Sequence, residues 1–420
     1  MKRLWLVALP LLVNASDLKE MVQAVQSNEL VKSLSYAVEA QQAVKGATIS
    51  GYLPKLVGSG VYQIVAEDQR SMMDYDYAGN LEASAILFDG FRREHTLMAQ
   101  DQNIQSAQEN YAHQKESLTL NAIKLYFSMK STLANIDAKQ QKREQLVNEV
   151  ERMEKFFNAG SISEDKLEQI KASLAMTEYE LTLLRQNYQD MAFSMQTLTG
   201  KKIDSIGEAS LVDIDAPYTH APLTHELQAL MHNVEALGHE SITKTAAYWP
   251  SLLLKDTFQA THYFETDTSS IPANMSFLAD LFSFPATSNK LQLQASMTLF
   301  DFFSKSQERQ ASQMQKMAKE SELAYKKRDL SLKQQLSLIE LRTIKSKIVS
   351  SSQSLVASQK SYEFIDKRFK ANLVDSSTYL DALTQFYQSK AMLAAAQNEY
   401  QVALANYYFN HAIPLMEKIK

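Results

Sequence analysis

The chain has 420 residues, and its 10 Gly and 8 Pro amount to about 4 % of it, against roughly 12 % in an average protein. Turns are few and long helices are favoured, while 45 % apolar and 22 % charged residues supply a core and exclude a mostly disordered chain. The net charge is −5 with no long basic run, which excludes a nucleic-acid binder living on phosphate contacts. The absence of Cys excludes a disulfide framework, a zinc ribbon, a thiol nucleophile and an acylated lipoprotein terminus.

At the start, Lys2 and Arg3 precede an apolar run from Leu4 to Val13, and Val13-Asn14-Ala15 forms a small-residue site before Ser16. That order reads as a cleaved signal peptide over 1–15. The run has ten residues, short of the ~20 that span a bilayer as a helix. The expectation is an exported chain without a helical anchor, of net charge −7 after cleavage.

A helix is predicted over Asp17 to Ala47, then Tyr52-Leu53-Pro54-Lys55-Leu56 leads into a weakly alternating strand from Leu56 to Ile64. A loop carrying Glu67, Asp68, Asp74 and Asp76 follows, read as a solvated turn in preference to a cation site. The return strand sets Leu81, Ala83, Ala85 and Leu87 against Asn80, Glu82 and Ser84. From Phe91 to Phe157 there is neither Gly nor Pro, which predicts one helix of 67 residues, about 100 Å long. It breaks at Asn158-Ala159-Gly160, where Gly tolerates the left-handed stop. Ser163 then caps a returning helix whose seam is Leu167, Ile170, Leu174, Thr177, Leu181, Leu184, Tyr188, Met191, Met195 and Leu198. Steps of three and four predict coiled-coil packing.

The same order then repeats. Residues 201–221, with Gly207 and Pro217, link to a helical stretch from Leu223 to Ala247. Tyr248-Trp249-Pro250-Ser251-Leu252 and Leu299-Phe300-Asp301 echo Tyr52 to Leu56 and Leu87-Phe88-Asp89. Between them lie a strand from Leu252 to Ala260, an apolar stretch from Met275 to Phe284, and a strand with Leu291, Leu293, Ala295, Met297 and Leu299 on one face. A second 67-residue helix runs from Phe303 to Phe369, breaks at Lys370-Ala371-Asn372 and returns from the cap Asp375. Its seam is Tyr379, Leu383, Phe386, Lys390, Leu393, Gln397, Tyr400, Leu404 and Tyr407. The offset of 212 residues holds without a gap from Phe157 and Phe369 to Met195 and Tyr407. The chain divides into repeats over 16–200 and 222–412, the linker 201–221 and a tail over 413–420.

Four amphipathic strands cannot close a membrane barrel, whose smallest forms have about eight strands, and an open edge in lipid is forbidden. Two copies would give eight strands with a filled interior; three would give twelve and room for a water channel, and three is the expectation. A strand of roughly 10 residues at about 3.3 Å each, tilted near 45°, rises about 23 Å, close to the apolar band of the outer membrane.

Taken together, the signal peptide, the duplicated halves, Leu-Pro-x-Leu at Leu53 to Leu56, Leu-Phe-Asp-Gly-Phe-Arg at Leu87 to Arg92 and Phe-x-x-Gly at Phe157 to Gly160 resemble the TolC-like outer-membrane efflux proteins. The resemblance covers about Ser16 to Ala412. It implies a mainly α fold with a small β part: long antiparallel coiled-coil helices forming an α-barrel, plus four β-strands per chain in a trimeric 12-stranded transmembrane β-barrel. It implies a Gram-negative outer-membrane location with a large periplasmic part. It also implies a homotrimer in outer-membrane lipid, working with a periplasmic adaptor (membrane fusion) protein and an inner-membrane transporter in efflux or type I secretion. The adaptor would dock at the tip formed by Asn158, Ala159, Gly160, Ser161, Lys370, Ala371, Asn372 and Leu373. The returning helices would close the periplasmic gate, where Asp381 and, one turn before it, Thr378 would line the entrance; the repeat partner of Asp381 is Gln169. Phe302 and Asn372 depart from the family pattern where the first half has Gly90 and Gly160.

His225, His232 and His239 recur every seven residues, about 10.5 Å apart along a helix, too far to share one ion, so they read as a solvated or packing face. Nucleophile-elbow, phosphate-loop and His-Glu-x-x-His motifs are absent from the sequence. The expectation is a passive duct without a catalytic site, cofactor or resident metal, and without nucleic acid as a partner. The Ala-rich run Ala391, Ala394, Ala395, Ala396, Ala403 and Ala405 permits close helix packing. A secreted coiled-coil structural or adhesion protein is the alternative of another class; it leaves the alternating strands without purpose.

Overall fold

A computed structural model of the chain describes residues 17–64, 66, 75–203, 205–214, 222–263 and 286–420. The signal segment, Glu67, Asp68, Asp74, the Asp76 side chain, the apolar stretch 275–284 and linker residues 215–221 lie outside the described residues.

Helices α1 (Leu18–Gln26) and α2 (Glu29–Tyr52) precede strands β1 (Lys55–Tyr62) and β2 (Tyr75–Asp89), then helices α3 (Arg92–Asn158) and α4 (Glu164–Thr199). The order recurs as α5 (His225–Thr243), β3 (Ser251–Tyr263), β4 (Thr287–Ser296), α6 (Ser304–Lys370) and α7 (Ser376–Asn410). Helices α3 and α6 have 67 residues each, the length expected from the stretches without Gly or Pro, displaced by one residue. The single N-terminal helix expected over 17–47 is two helices. Asn28 divides them: its Oδ1 accepts the Val31 N–H at 2.9 Å, opening α2, and its Nδ2 donates to Leu198 O at 3.0 Å.

The chain forms two compact units, one of residues 1–36, 109–228 and 324–420, the other of 37–108 and 229–323. They run across the two halves of the sequence. The first unit holds two apolar clusters. In one, Leu18, Met21, Val22 and Val25 of α1 pack with Ile123, Tyr126 and Phe127 of α3, Met195 of α4, and Leu404, Tyr407 and Tyr408 of α7. Leu211 of the linker and Leu415 and Ile419 of the tail belong to this cluster. Tyr126 OH donates to Gly207 O at 2.6 Å, Tyr408 OH donates to Val212 O at 2.7 Å, and a bridge joins Leu211 to Ile419. The second cluster joins Leu146 and Met153 of α3, Leu167 and Ile170 of α4, Phe369 of α6, and Tyr379, Leu383 and Tyr387 of α7. Every expected seam residue of α4 is buried or half-buried, and so is the α7 seam apart from Gln397, which is exposed.

In the second unit the strands form one antiparallel sheet in the order β1-β2-β3-β4, so β2 and β3 join the hairpins of the two halves and β1 and β4 are its edges. Partners in register share a face. One face carries the rows Leu56, Ala83, Asp256, Leu291 and Gly58, Leu81, Phe258, Asn289, with Ala85, Leu254 and Leu293 beyond. The other carries Lys55, Ser84, Lys255, Gln292; then Val57, Glu82, Thr257, Lys290; then Ser59, Asn80, Gln259, Ser288. The sheet is therefore mainly apolar on one side, with Asp256, Asn289 and Thr287 as polar exceptions, and mainly polar on the other, where Val57, Ile86 and Leu253 are interspersed and Lys255 and Glu82 pair at 2.7 Å. Two details differ from the sequence reading. An irregularity between Ile86 and Phe88 puts Phe88, not Leu87, opposite Leu252, because a bulge resets the alternation. Strand β4 ends at Ser296, so Met297 and Leu299 lie beyond it.

The Leu-Phe-Asp signals mark helix starts. Asp89 accepts the Arg93 N–H at 3.1 and 3.3 Å, and Asp301 accepts the Lys305 N–H at 3.0 Å, 212 residues later. Each carboxylate satisfies a backbone donor that the first turn leaves without a helical partner. Between strand and helix the chain turns through positive φ at Gly90 (71°) and Phe91 (63°), and at Phe302 (52°) and Phe303 (64°). At Gly90 a Cβ would meet Ala246 O at 2.5 Å and Trp249 Cβ at 2.7 Å, whereas Phe302 is 85 % exposed. Glycine is required only where the neighbouring backbone crowds the turn.

Gly90→Ala is therefore expected to destabilise the protein by about 1–3 kcal/mol through the clash and the left-handed backbone, read as a lowered midpoint in thermal unfolding; an unchanged midpoint would contradict this. The pH dependence of the α6 cap follows from Asp301. The Lys305 N–H, with help from the Tyr248 hydroxyl at 2.9 Å and the Lys305 ammonium, outweighs desolvation and holds its carboxyl below the usual range. A depressed folded-state pKa makes the stabilisation complete above the unfolded value of about 3.9 and lost as pH falls through the lower folded value. Protection from hydrogen exchange at the first turn of α6, taken against the intrinsic exchange rate at each pH, should fall below about pH 4, and Asp301→Asn should abolish that acid step.

Candidate functional site

The two ends of the long helices close in the same way. At the end of α3 the Gly160 N–H donates to Phe157 O at 2.9 Å and the Ser161 N–H to Phe156 O at 2.9 Å. At the end of α6 the Asn372 N–H donates to Phe369 O at 3.0 Å and the Leu373 N–H to Arg368 O at 2.9 Å. These paired bonds around a left-handed residue, Gly160 at φ 71° and Asn372 at φ 58°, terminate a helix while satisfying its last carbonyls. Asn is among the few side-chain-bearing residues that adopt this conformation at low cost. Asn158, Ala159, Gly160 and Ser161 on one turn, and Lys370, Ala371, Asn372 and Leu373 on the other, are all exposed. A Cβ on Gly160 would meet nothing within 4 Å, so only its backbone conformation demands glycine.

The returning helices start differently. Asp375 Oδ1 accepts the Thr378 N–H at 2.8 Å, and the Thr378 hydroxyl and N–H hold the Asp375 carboxyl below the usual range. Lys166 near the start of α4 adds its charge to that effect. Ser163 occupies the corresponding place before α4 with extended backbone but makes no side-chain capping bond, which corrects the expectation of a cap there. Thr378 and Asp381 stand one turn apart on the exposed side of α7, whereas Tyr379, Ala382, Leu383 and Tyr387 are buried. The three-residue step from Thr378 to Asp381 places both on one face.

That buried side anchors the helix. Phe369 stacks on Tyr379 with ring centroids 4.4 Å apart, Tyr362 stacks on Phe386 at 5.4 Å, and the Arg152 guanidinium lies 4.9 Å over the Phe369 ring. Burial raises the Tyr379 and Tyr362 hydroxyls and pushes Tyr387 up to about 12, so all three phenols stay neutral at physiological pH. Two lysines, unremarkable in the sequence, tie α3 to α7. Buried Lys142 donates to Thr384 Oγ1 at 3.0 Å, and Lys390 reaches Gln141 Oε1 at 2.8 Å and Asp137 Oδ2 at 3.2 Å. Desolvation, with Lys139 nearby, lowers the Lys142 pKa. Lys390 sits on the expected seam, where an apolar residue is the pattern's default, and only the neighbouring helix reveals its partners.

The heptad-spaced histidines are each partnered through Nδ1. His225 meets Glu109 Oε2 at 2.6 Å, His232 meets Gln102 Oε1 at 2.7 Å, and His239 meets His95 Nδ1 at 3.1 Å. Residues 95, 102 and 109 of α3 themselves recur every seven positions, a match that neither segment reveals alone. Among the described residues no group of three or more His, Asp or Glu converges as a metal site, and no helix is long and apolar enough to cross a membrane.

The sequence pattern of the outer membrane efflux proteins matches this chain over residues 21–201 and 223–409. No curated protein matches it significantly. Solved structures do. The outer membrane protein VceC of Vibrio cholerae superposes with a TM-score of 0.80 at 13 % identity, covering 95 % of this chain and 96 % of that one. The CmeC outer membrane channel of Campylobacter jejuni gives 0.78 at 16 % identity, over 94 % and 84 %. The open-state MtrE outer membrane channel of Neisseria gonorrhoeae gives 0.73 at 15 %, over 95 % and 89 %. With a shared fold along nearly its whole length and a family pattern matched across both halves, the chain belongs to the outer membrane efflux protein family.

Proposed function

We propose that three copies of this chain form a passive duct from the periplasm to the exterior. The sheet carries the reading: one face is mainly apolar, the other mainly polar, and β1 and β4 are its two edges. Such a sheet is stable in lipid only if β4 of one copy pairs with β1 of the next. Three copies of the four-stranded sheet supply twelve strands, enough to leave a water-filled lumen lined by the polar rows. The chain catalyses no reaction; an inner-membrane transporter supplies the work and a periplasmic adaptor docks on the exposed turns at Asn158 to Ser161 and Lys370 to Leu373. Thr378 and Asp381 face the entrance, where three Asp381 side chains form a carboxylate ring. The halves 16–200 and 222–412 act as structural repeats, supported by the order of hairpin, long helix and returning helix in each and by the 212-residue spacing of α3 and α6.

The assembly is tested on the apolar face at mid-strand, at Leu293 of β4. Leu293→Lys should cost roughly 2–4 kcal/mol and deplete the heat-labile trimer from outer-membrane fractions. Wild-type chain recovered as a soluble periplasmic monomer would refute the barrel. At the tip, Gly160→Val forces a β-branched residue into left-handed backbone. It should impair adaptor-dependent export while the trimer persists, because the turn lies a 67-residue helix away from the strands along the chain; equal loss of both would remove the local role. At the entrance, multivalent cations added from the periplasmic side should block conductance of the reconstituted trimer, and Asp381→Asn should relieve the block. Undiminished block in that variant would take Asp381 out of the pathway.

A further inference from the structure

The ladder between α5 and α3 has one rung unlike the others. His225 and His232 each set Nδ1 against an oxygen acceptor, Glu109 at 2.6 Å and Gln102 at 2.7 Å, which fixes a proton on that nitrogen. The His95 and His239 rings instead present nitrogen to nitrogen, with Nδ1 atoms 3.1 Å apart, centroids 5.4 Å apart and ring planes inclined by 33°. Both rings are half-buried, so an ion from solvent can reach them while the helices keep them in place.

We propose that His95 and His239 form a two-histidine site for a borderline divalent cation of the zinc and copper class. Imidazole nitrogen selects such ions over magnesium and calcium, which prefer oxygen. Metal–nitrogen bonds of about 2.05 Å on nitrogens 3.1 Å apart close an angle of about 98° at the ion, between the square-planar and tetrahedral values. Without an ion, one Nδ1–H donates to the other Nδ1. Binding moves that proton to Nε2 and tilts each ring by about 40° around a torsion that is broad for histidine. No third His, Asp or Glu among the described residues completes the set, so water fills the remaining positions. The site depends on α3 and α5 within one chain and not on the proposed trimer.

The test uses the full-length mature protein, purified without a histidine tag. Titration with Zn²⁺ should show one ion per chain, and Cu²⁺ should give an electron paramagnetic resonance signal split by two nitrogens. His95→Gln and His239→Gln should each weaken Zn²⁺ binding at least tenfold and leave one nitrogen in the Cu²⁺ signal, whereas His232→Gln should bind as wild type. Mg²⁺ should not compete. Absence of stoichiometric Zn²⁺ binding, or equal binding by the doubly substituted His95→Gln, His239→Gln protein, would overturn the assignment. So would a wild-type Cu²⁺ signal with fewer than two nitrogens, a readout independent of whether any variant folds.

Discussion

Backbone groups inside hydrocarbon have no water to bond with, and every strand placed there must find a neighbour on both sides. This constraint organises the β part of the molecule. The register sets Leu56, Leu81, Phe258, Leu291 and Leu293 on one face and Lys55, Lys255, Lys290 and Glu82 on the other, so a single sheet already has one mainly apolar and one mainly polar face. Lys255 and Glu82 pair on the polar face, where solvation makes charge inexpensive. The pairing of β2 with β3 spends the inner edges of both hairpins and leaves β1 and β4 at the edges of the sheet, the feature on which the proposed self-association rests.

The helical part obeys a different constraint. A helix continues until something interrupts its ladder, and in α3 and α6 nothing does for 67 residues. Their starts are set by Asp89 and Asp301, and their ends by the left-handed Gly160 and Asn372. Reach is therefore written in residue count, while the direction of the returning helix is set by packing. The stacked pairs Phe369 with Tyr379 and Tyr362 with Phe386 bury one side of α7, and that burial leaves Thr378 and Asp381 on the exposed side.

Comparing the halves shows how far repetition constrains side chains. Phe302 adopts nearly the same φ as Gly90, yet only Gly90 faces the Ala246 carbonyl at a distance that forbids a Cβ. Asp375 caps its helix and Ser163 does not. The backbone path recurs, and each half finds its own chemistry along it. Family membership accordingly rests on the sequence pattern matched over residues 21–201 and 223–409, while the shared path persists at identities of 13–16 % to the solved channels.

Sequence alone determined the features that depend on bonds within one turn or on a strict alternation. The length of α3 and α6 followed from the absence of Gly and Pro, the turns that end them from Gly160 and Asn372, and the β4 faces from the alternation of Leu291 and Leu293 with Gln292 and Gln294. Such patterns need only neighbours three, four or two residues away. Tertiary structure decided everything that joins distant segments. It paired β2 with β3, drew linker and tail into the core through Tyr126, Tyr408 and Ile419, gave buried Lys142 its Thr384 partner, and brought His239 to His95 across 144 residues. Each of those contacts depends on which face of one helix or strand meets which face of another, and that choice is made by the summed burial of the whole fold, which no local pattern contains.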